Sequence, residues 1–256
     1  MSDEAVVLTE RVGPVLVITL NRPQVRNAVD RKVAQSLATA VELLDSDPDL
    51  LVGVLAGAGG NFCAGMDLKA FLRGESPNIE GRGFAGLVEK PPVKPLIAAV
   101  DGAAVAGGFE IVLAADMVVA APSATFGLPE VRRGLVAAAG GLTRLPVRLP
   151  RGIALEMVLT GKAMTADRLH QHGFVNRLAP EGAVLATSIE LATEIAANGP
   201  LAVQASKRVI DESPGWAAAE AFERTRQIVM PVFGSNDARE GAAAFTERRA
   251  PVWTAT

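Results

Sequence analysis

The stretch Leu96-Ile-Ala-Ala-Val100-Asp101-Gly-Ala-Ala-Val-Ala106-Gly-Gly-Phe-Glu110-Ile-Val-Leu-Ala-Ala-Asp116-Met-Val-Val-Ala120-Ala121 is the most apolar part of the chain, and three acids interrupt it. Leu96–Val100 is a short apolar run and predicts a buried strand. Gly107 and Gly108 lead into a helix that passes through Glu110 to about Ala115. Met117–Ala120 and Ala124–Phe126 then read as short strands. Strand, helix and strand in such quick succession indicate an α/β domain with parallel pairings. No segment approaches the roughly 18 uninterrupted apolar residues of a membrane span. A charged acid inside so apolar a helix is expensive unless it is paired, hydrogen-bonded or protonated. Glu110 is therefore the first candidate for chemistry.

Upstream, Val6–Thr9 and Val15–Leu20 predict strands joined at a Val-Gly-Pro turn. Asp30 is placed to cap a helix running to about Leu44, with Val33, Leu37, Val41 and Leu44 on one face. Asp47-Pro-Asp49 breaks that helix, and Leu50–Ala56 reads as a buried strand. A short helical piece follows from Asp67 to Leu72. Residues 73–92 are polar and glycine-rich, with Pro77 and Pro91-Pro92, and predict a mobile segment. Downstream, Arg151–Thr160, Ala166–His172, Ala183–Asn198, Leu201–Asp211, Trp216–Phe233 and Ala238–Arg249 read as helices. Only Phe174–Leu178 there reads as a strand.

The composition excludes several classes of function. The chain has 256 residues, a net charge of −3 and scattered Lys and Arg, which argues against a basic nucleic-acid face. Its single cysteine, Cys63, rules out an intramolecular disulfide and fits a reducing compartment. The acidic start MSDEAVVLTE lacks an apolar signal core, so a cytoplasmic location is expected. There is no P-loop, and Phe62 stands where a dinucleotide fingerprint after Gly57-x-Gly59 needs a third glycine. His170 and His172 do not share a helix face and there are no Cys pairs, so no metal is expected. There is no Gly-x-Ser-x-Gly elbow, and Cys63, without a nearby His, reads as a small buried residue.

Carboxylates and glycine-rich loops remain. Glu130 lies in Phe126-Gly-Leu-Pro-Glu130. Read alone, Glu110 is a partner for a nearby Arg, and Pro129-Glu130 simply opens a helix. Sequence spacing does not say whether the two acids meet.

Seven motifs in order carry a resemblance over nearly the whole chain. They are Asn21-Arg-Pro…Arg26-Asn-Ala28, Gly59-Gly-Asn-Phe-Cys-Ala-Gly-Met-Asp-Leu68, Ala106-Gly-Gly-Phe-Glu110, Phe126-Gly-Leu-Pro-Glu130, Gly140-Gly-Leu-Thr-Arg-Leu145, Leu159-Thr-Gly161 and Gly173-Phe-Val-Asn-Arg177. Together they resemble the crotonase superfamily, the enoyl-CoA hydratase/isomerase family. The resemblance implies an α/β fold, a spiral of ββα turns, as a catalytic core over residues 1–190. It implies a helical region over residues 191–256 for trimerisation and active-site cover, in a homotrimer or a hexamer of paired trimers. It also implies an oxyanion hole for a thioester carbonyl, built from the backbone N–H groups of Met66 and Gly107. A helix start at Gly107 would favour negative charge there.

Enoyl-CoA hydratases carry two glutamates, and Glu110 and Glu130 occupy both positions. The resemblance thus implies hydration of a trans-2-enoyl-CoA, with Glu110 activating water and Glu130 donating the Cα proton. It places coenzyme A, as part of the substrate and with no separate cofactor, near Ala64, Asp67, Leu68 and Gly108. Arg26 and Lys69 are candidates for its phosphates. Phe245, Arg248 and Arg249 are candidates for a neighbouring subunit's site. One departure stands out: Leu135-Val-Ala-Ala-Ala139 replaces the Pro and then Gly or Asp of many hydratases. The run Met66-Asp-Leu-Lys-Ala, Phe84-Ala-Gly-Leu87 and the tail Ala244–Trp253 resemble carnitinyl-CoA dehydratases. Such an enzyme needs an aromatic cage for its quaternary ammonium, for which Phe71, Phe84 and the two Trp are the available walls. An isomerase, or a non-catalytic RNA-binding relative, is the further alternative.

Overall fold

A computed structural model describes residues 5–256; Met1–Glu4, part of the acidic start read above, lie outside the described residues. β1 (Val7–Val12) and β2 (Val15–Leu20) pair antiparallel about Gly13-Pro14, with β1 as the exposed edge. α1 (Arg31–Ser46) starts where the Val33 N–H donates to Asp30 Oδ1 at 2.9 Å, and its predicted stripe is buried. β3 (Val52–Gly57) lies parallel to β2, and α2 (Leu68–Leu72) is capped by Asp67. The small hairpin of β4 (Asn78–Ile79) and β5 (Gly83–Phe84) precedes β6 (Leu96–Val100), β7 (Ala103–Val105) and α3 (Gly107–Ala114). β8 (Met117–Ala120), β9 (Thr125–Gly127), α4 (Gly141–Arg148) and α5 (Arg151–Thr160) follow. β10 (Met164–Thr165), α6 (Ala166–Gln171), β11 (Arg177–Leu178) and α7 (Val184–Ala196) complete the core.

The six-stranded sheet runs β1-β2-β3-β6-β8-β11, parallel throughout except at its β1 edge. A second sheet runs β10-β9-β7. In the middle of the chain successive passages give one strand to the first sheet, one to the second, then a helix. β6, β7 and α3 make one such turn, and β8, β9 and α4 the next. β3, the bridging residue Cys63 (paired with Ala104) and α2 make a shorter one. This is the expected ββα spiral. Inside it Phe109, Phe126 and Phe174 meet at centroid distances of 5.5 to 5.7 Å, in tilted and edge-on contacts. α7 covers the sheet, chiefly against β3 and β6.

Several expectations need correction. The local sequence predicts neither β7 nor α4: β7 is three small residues in an alanine run, and α4 opens on glycine and contains Pro146. Phe174–Leu178 is a strand only at Arg177–Leu178. The 73–92 segment is no open loop, since Phe84, Ala85, Leu87 and Val88 are buried, and Arg82 is held by Glu42. Residue 190 lies inside α7, so a division between core and helical region belongs at its end, near Gly199, rather than at 190/191.

The remaining helices are α8 (Pro200–Glu212), α9 (Ala221–Phe233) and α10 (Asn236–Glu247). α9 begins after Trp216, not at it, because Ser213–Gly215 closes as a 3-10 turn and Trp216 is extended. Lys207 ties α8 to the core. Its Nζ donates to Asp116 Oδ2 (2.7 Å), Pro92 O (2.9 Å) and Lys94 O (3.2 Å), and Asp116 Oδ2 also accepts the Leu96 N–H. Asp116 is therefore structural. Lys207→Met would strand these acceptors, and we expect it to lower the unfolding free energy by about 2–4 kcal/mol in urea titration. A loss below about 0.5 kcal/mol would show that this tie is solvent-replaceable.

Candidate active site

The backbone segments that carry the Met66 and Gly107 N–H groups lie side by side. The Val29 N–H donates to Gly65 O (2.8 Å) and the Asp67 N–H to Val29 O (2.9 Å), so Met66 lies opposite Val29 in a parallel bridge. Alternation along an extended chain turns the Met66 N–H to the other side. Among the described residues it meets no backbone acceptor. Gly107 opens α3, where the first N–H groups have no intrahelical partner. A Cβ on Gly65, whose φ is +90°, would lie 3.0 Å from Gly107 N, so the two donor-bearing segments touch. The residue before Gly107 is strained: Ala106 has φ 52° and ψ −132° and is held by its N–H to Gly127 O at 2.9 Å. Such a conformation costs on the order of 1–3 kcal/mol and is retained where it aims a functional group.

The first family motif turns out to be scaffold for this loop. Arg22 bridges Asp30 and Asp67, each at 3.1 Å, and donates to Ala28 O. Buried Asn27 donates to Ala58 O and Asn61 O and accepts the Arg22 N–H. These bonds fasten the 63–67 loop to the 22–30 loop and so aim Met66. Cys63 is buried, donates to Asn27 O, and its thiol is pushed up to about 12 by burial. It is no nucleophile.

The two glutamates are in electrostatic reach of each other and differ in their surroundings. Glu110 is 4% exposed, and its Oε1 accepts the N–H groups of Ala139 (2.7 Å) and Gly141 (2.9 Å). Burial raises its pKa; those two donors and the Arg144 charge pull the other way. Glu130 opens a 3-10 turn, Glu130–Arg133, rather than an α-helix. Its Oε2 is buried without a hydrogen-bond partner among the described residues. Burial and the charge of Glu110 raise its pKa, against its own N–H and Arg133. Against the burial common to both, Glu110 has two N–H donors and a nearby cation that favour its ionised form, whereas Glu130 has a like charge beside it that favours its protonated form. Within the departure at 135–139, Ala139 contributes its backbone N–H to Glu110.

Other expected residues divide into two groups. Ala64 donates to Arg26 O at 3.0 Å, and exposed Arg26, Leu68 and Lys69 surround the Met66 loop. The Asp67 carboxylate accepts the N–H groups of Lys69 and Ala70 and pairs with Arg22, which leaves the loop backbone to face a ligand. At Gly108 a Cβ would lie 2.1 Å from Cys63 O, so packing against that carbonyl requires glycine there. Phe245 and Arg248 end α10, apart from the glutamates, and Phe245 is 87% exposed. Sequence reading does not single out Asn27, Ala139, Gly141 or Arg144. The first three act through the backbone, or upon it, and leave no chemical signature.

The enoyl-CoA hydratase/isomerase family model matches residues 10–256. An enoyl-CoA hydratase of Mycobacterium tuberculosis is 42% identical over 251 residues, 95% of this chain and 94% of that one. A carnitinyl-CoA dehydratase of Salmonella typhi is also 42% identical over 251 residues, 95% of this chain and 96% of that one. The crystal structure of an enoyl-CoA hydratase from Mycobacterium marinum superposes with a TM-score of 0.97 at 55% identity, covering 99% of this chain and all of that one.

Proposed function

The chain belongs to the enoyl-CoA hydratase/isomerase family, and on that premise we propose that it adds water reversibly to a trans-2-enoyl-CoA, giving a 3-hydroxyacyl-CoA. The thioester oxygen accepts from the Met66 and Gly107 N–H groups. Glu110 takes a proton from water as the oxygen bonds to Cβ. The π electrons move to the thioester as an enolate held by the two donors. Collapse of the enolate takes the proton of Glu130 onto Cα, and proton exchange resets the pair. The observation that carries this reading is the inequality of the glutamates beside two unpartnered N–H donors. An isomerase needs one proton shuttle and leaves the second glutamate without a task.

The carnitinyl-CoA dehydratase reading rests on the Salmonella relative. Against it, the aromatic walls are dispersed within one chain. Trp216 lies 6.0 Å from the Arg224 guanidinium, and Trp253 donates to Ala197 O and packs on Gly199 and Gly241. Phe84 packs its ring against Gly107. Turnover of crotonyl-CoA and crotonobetainyl-CoA, followed by loss of enoyl-thioester absorbance, decides between them. We expect crotonyl-CoA to be at least about tenfold faster in kcat/KM, the worth of an absent cation–π cage; the reverse order would overturn the reading, and no turnover of either would overturn the family chemistry here.

The reading includes coenzyme A, carried by the substrate with no further cofactor, along Ala64 and the exposed Arg26, Leu68 and Lys69. It includes a cytoplasmic homotrimer or hexamer. Exposed Phe222, Phe233, Phe245 and Val252 on the helical region supply the apolar surface that assembly would bury. No helix among the described residues is long and apolar enough to cross a membrane.

A further inference from the structure

Arg144 is a half-buried charge that the reaction steps above do not use. It sits on α4, whose first N–H, from Gly141, binds Glu110. Its guanidinium folds back over the start of that helix: a Cβ on Gly140 would lie 2.3 Å from Nη1. On its other side Nη2 donates to Val88 O at 2.5 Å. Val88 closes the buried 84–88 segment, whose Phe84 ring packs on Gly107. One side chain therefore touches both the step that binds Glu110 and the segment that covers an oxyanion donor.

The charges around it are unevenly shared. Arg144 is in electrostatic reach of Glu110 from α3, Asp211 from α8 and Glu89 beside Val88. Glu130 faces Glu110 and Arg133 instead, and Arg133 is exposed, where solvent screens it. We propose that Arg144 is a positioning residue: held by Val88 O against the Gly140–Gly141 step, it keeps Glu110 the ionised member of the pair. This rests on the two-glutamate reading.

The sign of the effect follows directly. A cation favours ionised Glu110, and the reaction needs that form, so losing the cation moves the acid limb of the rate profile to higher pH. In Arg144→Met we expect the acid limb of kcat/KM to rise by about one pH unit, the effect of one nearby charge. With it, kcat at pH values on the acid limb should fall about tenfold, and less at higher pH, while KM for crotonyl-CoA stays within about twofold. Arg144→Lys, which keeps the charge, should return the limb to within about 0.3 unit. Asp211→Asn removes a carboxylate that offsets Arg144, so the limb should move the other way, downward. If Arg144→Met fails to fold, the Lys and Asn variants decide. A ¹³C-glutamate NMR titration, assigned with Glu110→Gln, reads the same shift without turnover. A wild-type protein inactive on enoyl-CoA would sink the hydratase reading while leaving this titration informative. Rate loss in Arg144→Met with the Glu110 titration unmoved would overturn the proposal, as would an Asp211→Asn limb that moves upward.

Discussion

Glu110→Gln and Glu130→Gln each remove nearly all hydration while leaving the fold intact. Each general acid or base contributes about 10²–10⁴-fold, so each variant should retain at most about 1% of wild-type kcat. The amide is a fair test because it keeps the geometry. In Glu110→Gln the amide oxygen can still accept the N–H groups of Ala139 and Gly141, so α4 stays docked on α3. At position 130 the amide keeps the shape and a polar atom where Oε2 has no partner among the described residues, and removes only the ionisable group, so thermal stability at neutral pH should stay close to wild type. The wild-type profile should be bell-shaped. Activity falls at low pH as Glu110 takes a proton, and at high pH as Glu130 loses one. Both groups are raised by burial, and Glu130 further by the Glu110 charge, so both limbs should lie above the ordinary carboxylate range. The limbs belong to the coupled pair. Near-normal hydration by Glu110→Gln in stopped assays would remove Glu110 as the base and with it the two-glutamate mechanism.

The part of this site that was legible in the sequence was the part that cost free energy. Glu110 stands out because a carboxyl in an apolar helix needs a reason, and Asp30 stands out because an unpaired helix start needs a cap. Glu130 was legible only beside the family motifs, since a Pro-Glu step has an ordinary structural use. The donors at Met66 and Gly107 carry no side-chain signal at all: every residue but proline has an N–H, and only the bends at Gly65 and Ala106 aim these two. The same holds for Ala139, whose identity does not matter so long as its N–H points at Glu110. α4 escaped because two glycines and Pro146 argue locally against a helix that tertiary contact with α3 sustains. The 73–92 segment misled through composition. Its polar residues suggested exposure, yet Phe84, Leu87 and Val88 turn inward, and Arg82 goes in with a partner.

Gly65→Ala tests the oxyanion hole, which no side-chain deletion can reach. Gly65 has φ +90°, a conformation alanine disfavours, and the new Cβ would lie 3.0 Å from both Gly107 N and Ala106 Cβ and 3.1 Å from Val105 O. Something must give, and each available movement is harmful. Relaxing φ rotates the peptide that carries the Met66 N–H. Yielding on the other side displaces the peptide that carries the Gly107 N–H. Misplacing one such donor costs about 2.7–4 kcal/mol, or 10²–10³ in kcat. The loss should fall on kcat more than on KM, because the donors act most strongly on the enolate oxygen. Gly108→Ala is the contrasting control. Its Cβ would press to 2.1 Å from Cys63 O, so it should lose thermal stability before it loses chemistry per folded molecule. A folded Gly65→Ala enzyme with kcat within about threefold of wild type would mean that the thioester oxygen is held elsewhere.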